Sequence, residues 1–586
     1  MPQWRKRALK QTRMHKQTRE IVVCGADSET QHGPPISFQF YSDDSSRFTA
    51  IIQVDSENAT RLFLRHLDRN CDPSRHYRIY GHYLEFDLLS FLWIAKHRLV
   101  ENFGNFDFTI GLWKIIGCYG RPTFARITKS DGTLIELVDS ALWFRGSLDN
   151  AAQTYAPDLP KLERPKDLGE KFFSIKDKEF AAYAMRDAEI AARLGKLIEK
   201  FHSDQELRPS MSLAGQAAQI FKTRYIDTPI FQCPGKFLEP AIAAYHGGKN
   251  NIIKRAAPAW HENATMYDIS SAYPWAMTEL PDFAHEEMYK EIDLPANAKS
   301  VPIPGIYKVS GKLANCDWPI FFSHDFKPLK NCEIEDLWIH GYELNEAIRA
   351  GEFKAKSRIK GCYYDSKSSN ESAMSRFAKD FYKFKTNATN PIDRHMYKIL
   401  LNCLSGKFIQ TREQNLLNDD GTVSREHVAG GLFQPFIAGA ITAHTRAHIH
   451  HIEHISNALH TATDGIIAPN KIKQSDLDGI PKSGLGSLNE EMTGNVILLR
   501  TKLYIGYDKD KGGIKSHVFK DWFIHKCALH GFQGNIKELE EMIVSGRRWY
   551  IAPHRIGLRE AVKHGTIPNN FVQRQMFLQV GKVRPS

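Results

Sequence analysis

Tyr267-Asp268-Ile269-Ser270-Ser271-Ala272-Tyr273-Pro274 sets a carboxylate between two aromatics, and its reading decides the fold. Met266-Tyr267-Asp268 ends a plausible strand, and Ser271-Ala272-Tyr273-Pro274 turns into a short helix. Asp268 is thereby expected at an exposed strand end, the usual place for a metal ligand. Three further fragments follow in order: Lys398-Ile399-Leu400-Leu401-Asn402, Thr463-Asp464-Gly465 and Lys502-Leu503-Tyr504. Arg394, Lys398 and Asn402 recur at four-residue spacing, which predicts one stripe of a helix that Gly406 can terminate. Two cations on that stripe suit a triphosphate, whose charge grows during transfer. His460 to Gly465 lies between apolar runs and reads as a hairpin with Thr463-Asp464-Gly465 as its turn. Asp464 at the tip is expected to face Asp268 across a two-metal site.

Upstream, Glu20 to Gly25 is a short apolar run rich in β-branched residues that ends in Ala26-Asp27-Ser28-Glu29. It reads as a buried strand delivering two acids to its end. Tyr80-Gly81-His82-Tyr83-Leu84-Glu85-Phe86-Asp87 supplies another carboxylate, and Tyr183 and Asp187 stand four apart on a helical pattern, hence on one face. Four converging acids, Asp27, Glu29, Asp87 and Asp187, are the arrangement that holds two divalent ions for phosphodiester hydrolysis, with Tyr183 placed to orient the water. Lys161 or Lys166 is available to assist the scissile phosphate, and no motif fixes which.

A chain of 586 residues exceeds one hydrophobic core, so several domains are expected. The formal net charge of +11 is spread along the whole chain, and no apolar run is long enough to span or anchor in a membrane. Nucleic acid is the natural polyanionic partner. Nine cysteines with no Cys-x-x-Cys pair fit neither a disulfide framework nor a zinc ribbon and point to a reducing compartment, the cytoplasm. Arg5, Lys6, Arg7, Lys10, Arg13, Lys16 and Arg19 lack an apolar core and read as a mobile basic arm rather than a secretory signal. Pro435 to Leu459 is a long helical pattern with His444, His448 and His451 on one face and His450 and His454 on another. Nothing in the sequence fixes a fourth ligand beside the first trio, and no metal is assigned there.

Taken together, a carboxylate beside an aromatic, a cationic helix with an Asn, a second carboxylate in a turn and a Lys-x-Tyr are the parts of a template-directed nucleotidyl transferase. Their order resembles family B DNA polymerases. The upstream acids resemble the three exonuclease motifs of DnaQ-like proofreading domains. By this resemblance, Asp268 and Asp464 bind two magnesium or manganese ions, a second pair is held by Asp27, Glu29, Asp87 and Asp187, and Tyr273 is the steric gate against a 2′-hydroxyl. It likewise implies that Arg394, Lys398 and Asn402 contact the nucleotide and that Lys502 and Tyr504 grip the primer end. Three departures stand out. Tyr83 replaces the usual Asn, Ala462 replaces the first Asp of Asp-Thr-Asp, and Cys403-Leu404-Ser405 replaces Ser-Leu-Tyr.

Insertions at residues 290–375 and 409–432, with Tyr245-His246-Gly247-Gly248 ahead of Asp268, resemble the protein-primed branch found in phages and linear plasmids. There the Tyr-x-Gly-Gly linker, through Tyr245, Gly247 and Gly248, contacts template. The fold expected is an α/β and α+β multidomain chain, an RNase H-like exonuclease domain followed by a right-hand polymerase. Its divisions are a basic arm at 1–19, the exonuclease at 20–200, and a linker with the start of the polymerase at 201–260. The palm follows at 261–289, the first insertion at 290–375, the fingers at 376–408 and the second insertion at 409–432. The palm resumes at 433–505, and a thumb occupies 506–586. Template and primer DNA, deoxynucleotides and a terminal priming protein are the implied partners of a monomer. A polymerase-derived nuclease or DNA-binding protein with impaired synthesis, and a compact DNA-primed or primer-independent polymerase, are the alternative readings.

Overall fold

Two eight-stranded sheets carry most of the chain's chemistry, and a computed structural model shows how each is assembled. The structure describes residues 8–13, 19–30, 34–101, 104–120, 122–165, 174–207, 209–253, 259–366, 370–417, 423–509, 514–516, 522–529, 536–545, 549–555 and 571–577. In the amino-terminal sheet, the strand Ile21–Thr30 runs parallel to His76–Gly81, which runs parallel to Leu134–Asp139. Pro35–Tyr41 and Ala50–Gln53 extend one side antiparallel, and Phe124–Lys129, Trp113–Tyr119 and Gly104–Ile110 extend the other. The helix Lys178–Asp204, begun by the Asp177 side chain accepting from Glu179 and Phe180 N–H, lies across the first strand. Gly25 permits that approach, because a Cβ there would collide with the Ala188 carbonyl.

The second eight-stranded sheet is antiparallel along the Ala259–Ile269, Gly465–Ala468 and Leu488–Arg500 strands. Asp268 lies opposite Gly465 in its register. The sheet continues through Leu503–Asp508 to Phe523–Leu529, so the division placed at residue 505 cuts a continuous sheet. Beneath it runs the helix Pro435–Ser456, almost wholly apolar in its first half and buried there. Residues 289–364 form a separate five-stranded sheet with the helix Gly341–Arg349, inside the expected first insertion. Two antiparallel helices, Ala373–Asn387 and Pro391–Cys403, follow. Pro391 at the first turn and the Asn390 cap start the second of these, and it ends at Cys403 in a 3-10 turn, Ser405–Phe408, that contains Gly406. The stretch expected as a second insertion contains a two-stranded hairpin, Thr411–Leu417 with Val423–Ala429.

The basic arm is partly tied down, contrary to the expectation of a mobile terminus. Ala8–Leu9 pairs with Ile230–Phe231, and Leu9 is buried in the main core. The hydrophobic effect of that one residue, with Thr12 N–H donating to the Lys222 carbonyl, anchors the segment. The most basic part of the arm, residues 1–7, lies outside the described residues.

Candidate active sites

The antiparallel hairpin joining His460–Ala462 to Gly465–Ala468 has Thr463 and Asp464 as its two-residue turn. Thr463 takes a left-handed backbone, φ 64°, a strained conformation for a β-branched residue. Asp464 is thereby presented beside Asp268, and the two are tied by Ile269 N–H donating to the Asp464 carbonyl at 3.0 Å. Burial, followed by the negative charge of Asp464, raises the Asp268 carboxyl to about 6, and burial also raises Asp464. Two acids destabilised as anions at one spot form a ready seat for divalent cations.

Tyr273 opens the short helix Ala272–Thr278, behind Ser271 in another left-handed conformation, φ 50°. Its hydroxyl lies near Gly248, where a Cβ would stand 2.9 Å from that oxygen and 2.6 Å from the Thr463 methyl. Gly248 is therefore required by the packing of Tyr273 against the Asp464 turn, whereas Gly247 meets nothing within 4 Å. The loop from Tyr245 to Gly248 is fixed by Arg446, which donates to the His246 carbonyl and, at 2.7 Å, to the Gly247 carbonyl, while Glu343 holds its Nε at 2.8 Å.

Arg394, Lys398 and Asn402 form one exposed stripe of their helix. Lys398 acts on both Asp268 and Asp464. Two cations escaped the sequence reading. Lys526, on the strand Phe523–Leu529, acts on both acids and pairs with Glu491, and Lys385 on the preceding helix faces Arg394 and Lys398. Neither lies in a recognisable motif, and only the pairing of distant strands and helices brings them in. Lys502, again left-handed at φ 57°, has its N–H on His460 Nε2 at 3.0 Å and lies near Asp464, with Tyr504 near Asp268. Ala462 stands opposite Gly465 at the hairpin neck, and Ser405 Oγ reaches the Asn402 carbonyl at 3.4 Å.

On the amino-terminal sheet, Asp27 and Glu29 alternate onto one face of their strand, and the helix bearing Tyr183 and Asp187 lies over that face. Ligand atoms of Asp27, Glu29 and Asp187 lie within 4.8 Å of one another. Asp87 stands beside Asp27, with its carboxylate accepting from Ser28 Oγ at 2.8 Å. Burial is the chief cause that raises all four acids, Glu29 to about 7 and Asp87 to about 8. Of the two lysines left open by the sequence, Lys161 has its ammonium paired with Asp187 and 5.6 Å from the centre of the Tyr183 ring. Lys166 lies outside the described residues. Tyr83 is half exposed and left-handed, φ 61°, with its N–H on Asp139 at 3.0 Å. The adjacent His82 is held by Ser140 Oγ and the Gly146 carbonyl, each at 2.9 Å.

The helix Pro435–Ser456 resolves the histidine question raised by its sequence. His444 and His448 pack on Trp275, with ring centroids 4.6 and 4.4 Å away, and His444 also stacks on Tyr342. His451 Nδ1 meets Arg349 at 2.8 Å. That trio is absorbed into packing, while His450 and His454 face a carboxylate of the insertion.

Residues 177–417 match the family model described as DNA polymerase type B, organellar and viral. The fold is shared with Phi29 DNA polymerase complexed with primer-template DNA, with TM-score 0.68, 16% identity, and coverage of 96% of this chain and 100% of that one. The Phi29 ternary complex with primer-template DNA and incoming nucleotide substrates matches at TM-score 0.64 and 16% identity, covering 97% of this chain and all of the other. The Phi29 complex with single-stranded DNA matches at 0.68 and 16%, covering 96% and 100%. The comparison with curated protein sequences found no match.

Proposed function

We propose that this chain, a family B DNA polymerase of viral type by its central sequence pattern and by its fold, couples DNA synthesis to 3′ to 5′ proofreading and starts from a protein primer. The observation that carries the synthetic activity is the pairing of Asp268 with Asp464 at a strained turn, under the cationic stripe of Arg394 and Lys398.

The carboxylates Asp268 and Asp464 fit divalent cations, because each is raised by burial and gains from a positive charge between them. Bound ions would activate the primer hydroxyl and neutralise the leaving pyrophosphate. The protein's own part is positioning. Arg394, Lys398 and the newly placed Lys385 receive the triphosphate, with Asn402 one turn along the stripe. Tyr273, closed from below by Gly248, is a rigid floor under the sugar, so it excludes an added hydroxyl by contact. Lys502 and Tyr504 hold the primer end, and Lys526 balances the acids before cations enter.

In the proofreading site, Asp27, Glu29, Asp87 and Asp187 fit a second cation pair, with Tyr183 orienting water and Lys161 placed to meet the scissile phosphate. The Phi29 enzyme's complexes in the solved structures hold primer-template DNA, and the same class of ligand is proposed here. The insertion sheet at 289–364 and the hairpin at 411–429 support protein priming and strand displacement by their position. Primer extension with magnesium tests the central assignment. Asp464→Asn is expected to lose roughly a thousandfold or more in rate, several kcal/mol of transition-state stabilisation. Extension near the parent rate would overturn it.

A further inference from the structure

Glu352, His450 and His454 form a side-chain cluster apart from both acid sites, with ligand atoms within 4.8 Å of one another. His450 Nε2 lies 3.0 Å from one oxygen of Glu352 and His454 Nε2 3.1 Å from the other. The two histidines are four apart on the helix Pro435–Ser456, and Glu352 follows the helix Gly341–Arg349 of the insertion. Glu352 and His450 are buried, and His454 is partly so. The buried Cys316 thiol lies beside this cluster and donates to the Ala314 carbonyl at 3.5 Å, and its loop is tethered there by Ala314 N–H donating to the Glu352 carbonyl at 2.9 Å.

We propose that this cluster is the core of a structural zinc site, with His450 Nε2, His454 Nε2 and the Glu352 carboxylate already gathered and the Cys316 thiolate, turned from the Ala314 carbonyl, as the fourth ligand. The donor set decides the metal: two imidazoles, a thiolate and a carboxylate suit zinc and do not suit magnesium or calcium, which take oxygen. The surroundings are those of a metal-bound imidazole. His450 Nδ1 faces Glu346 at 3.3 Å, and Glu346 is itself gripped by Arg349, at 2.8 Å from Nε. With zinc on Nε2, Nδ1–H donates to Glu346, the carboxylate-to-histidine support that fixes ring and tautomer. Without metal, both nitrogens of one buried ring face carboxylates, and both donate only if the ring is doubly protonated. Trp318 covers the open side, its ring 4.9 Å from that of His454 and its Nε1–H on the Ala458 carbonyl at 2.9 Å. Zinc binding sends the Cys316 proton, and any second proton on the imidazoles, to solvent. The ion then cross-links the insertion to the helix beneath the catalytic sheet.

The full chain, expressed with zinc and passed over a chelating resin, is the material for the test. Its catalytic carboxylates are removed as Asp27→Ala, Glu29→Ala, Asp268→Asn and Asp464→Asn, so that weak binding elsewhere does not count. Elemental analysis is expected to find one tightly held zinc per chain. Cobalt substitution is expected to give tetrahedral ligand-field absorption and a thiolate charge-transfer band. Cys316→Ser should abolish that band, and Glu352→Gln and His454→Asn should lose the metal. Glu346→Gln should keep it with roughly ten- to a hundredfold weaker affinity. If Glu352→Gln does not fold, His454→Asn, altered at a partly exposed ring, decides. Failure of the background protein to hold zinc overturns the proposal and leaves a hydrogen-bonded network, and so does full retention by His454→Asn. A cobalt spectrum without the thiolate band overturns the role of Cys316. None of these readouts depends on polymerase activity.

Discussion

Tyr83, Ser271, Thr463 and Lys502 are left-handed residues other than glycine, and each sits beside a candidate catalytic group. That conformation costs roughly 1–2 kcal/mol for an ordinary side chain and less for Asn, whose short polar group tolerates it. The Asn that the family resemblance leads one to expect at Tyr83 therefore suits this backbone. Tyr83→Asn is expected to stabilise the fold by about 1 kcal/mol, read from urea unfolding, and a destabilised variant would refute this account. The proofreading acids make a pH prediction. Unfolded, they ionise near pH ~4; folded and without metal, Glu29 and Asp87 ionise at about 7 and about 8, and Asp27 and Asp187 are raised too. The folded state thus holds more protons across that window, so its stability falls as pH rises through it. Melting in EDTA should drop between about pH 5 and about pH 8, magnesium should restore more at the upper end, and Asp27→Asn with Asp87→Asn should flatten the profile. A slope unchanged in that double variant would count against the four-acid site. The acids and Tyr273 were legible because a motif repeats their spacing. Lys161 was named only as one of two candidates, and the places of Lys385 and Lys526 beside the acids and the cationic stripe were not legible, since a lone lysine acquires its meaning only from the segment that folds against it.

At the scale of elements, local pattern was a good guide wherever a short-range rule set the geometry. The two-residue turn at Asp464 and the helical stripe through Lys398 follow from alternation and four-residue spacing. The helix Pro435–Ser456 was legible as a helix, yet the partner of its second histidine pair was not, because Glu352 arrives from about a hundred residues upstream. The same limit applied to the arm, whose buried residue Leu9 lies on a strand that pairs more than two hundred residues away. The hairpin Thr411–Leu417 to Val423–Ala429 invites an excision, since Gly430 N–H already donates to the Gln410 carbonyl at 2.9 Å across its neck. Joining Gln410 to Gly430 should leave single-nucleotide addition near the parent level, because Asp268, Lys398 and Asp464 lie outside the excised strands. Under polymerase-trap conditions the products should shorten, and synthesis should stall at a duplex ahead of the primer. Long strand-displaced products from that variant would remove the case that the hairpin serves strand displacement.

Across the whole molecule, the two acid clusters stand on two different sheets and share no residue. The connection between them is mechanical. His395, on the helix of Lys398, has its Nε2 2.7 Å from the Trp143 carbonyl and stacks on Phe144, so the cationic helix leans on the amino-terminal domain. That joint places no residue of either acid cluster in the other. The chemical steps should therefore separate cleanly. Asp27→Ala with Glu29→Ala is expected to cut degradation of single-stranded 3′ ends by roughly a thousandfold or more while extension stays within a few-fold of the parent. Asp268→Asn is expected to do the reverse. Each is measured on the same labelled primer, with and without deoxynucleotides, so that a loss of DNA binding would appear in both activities and be distinguished from a loss of chemistry. Degradation that survives in the purified double variant would mean that the amino-terminal acids do not form the nuclease, and loss of both activities in a variant that still binds the primer in a separate binding assay would mean that the two sites depend on a shared group.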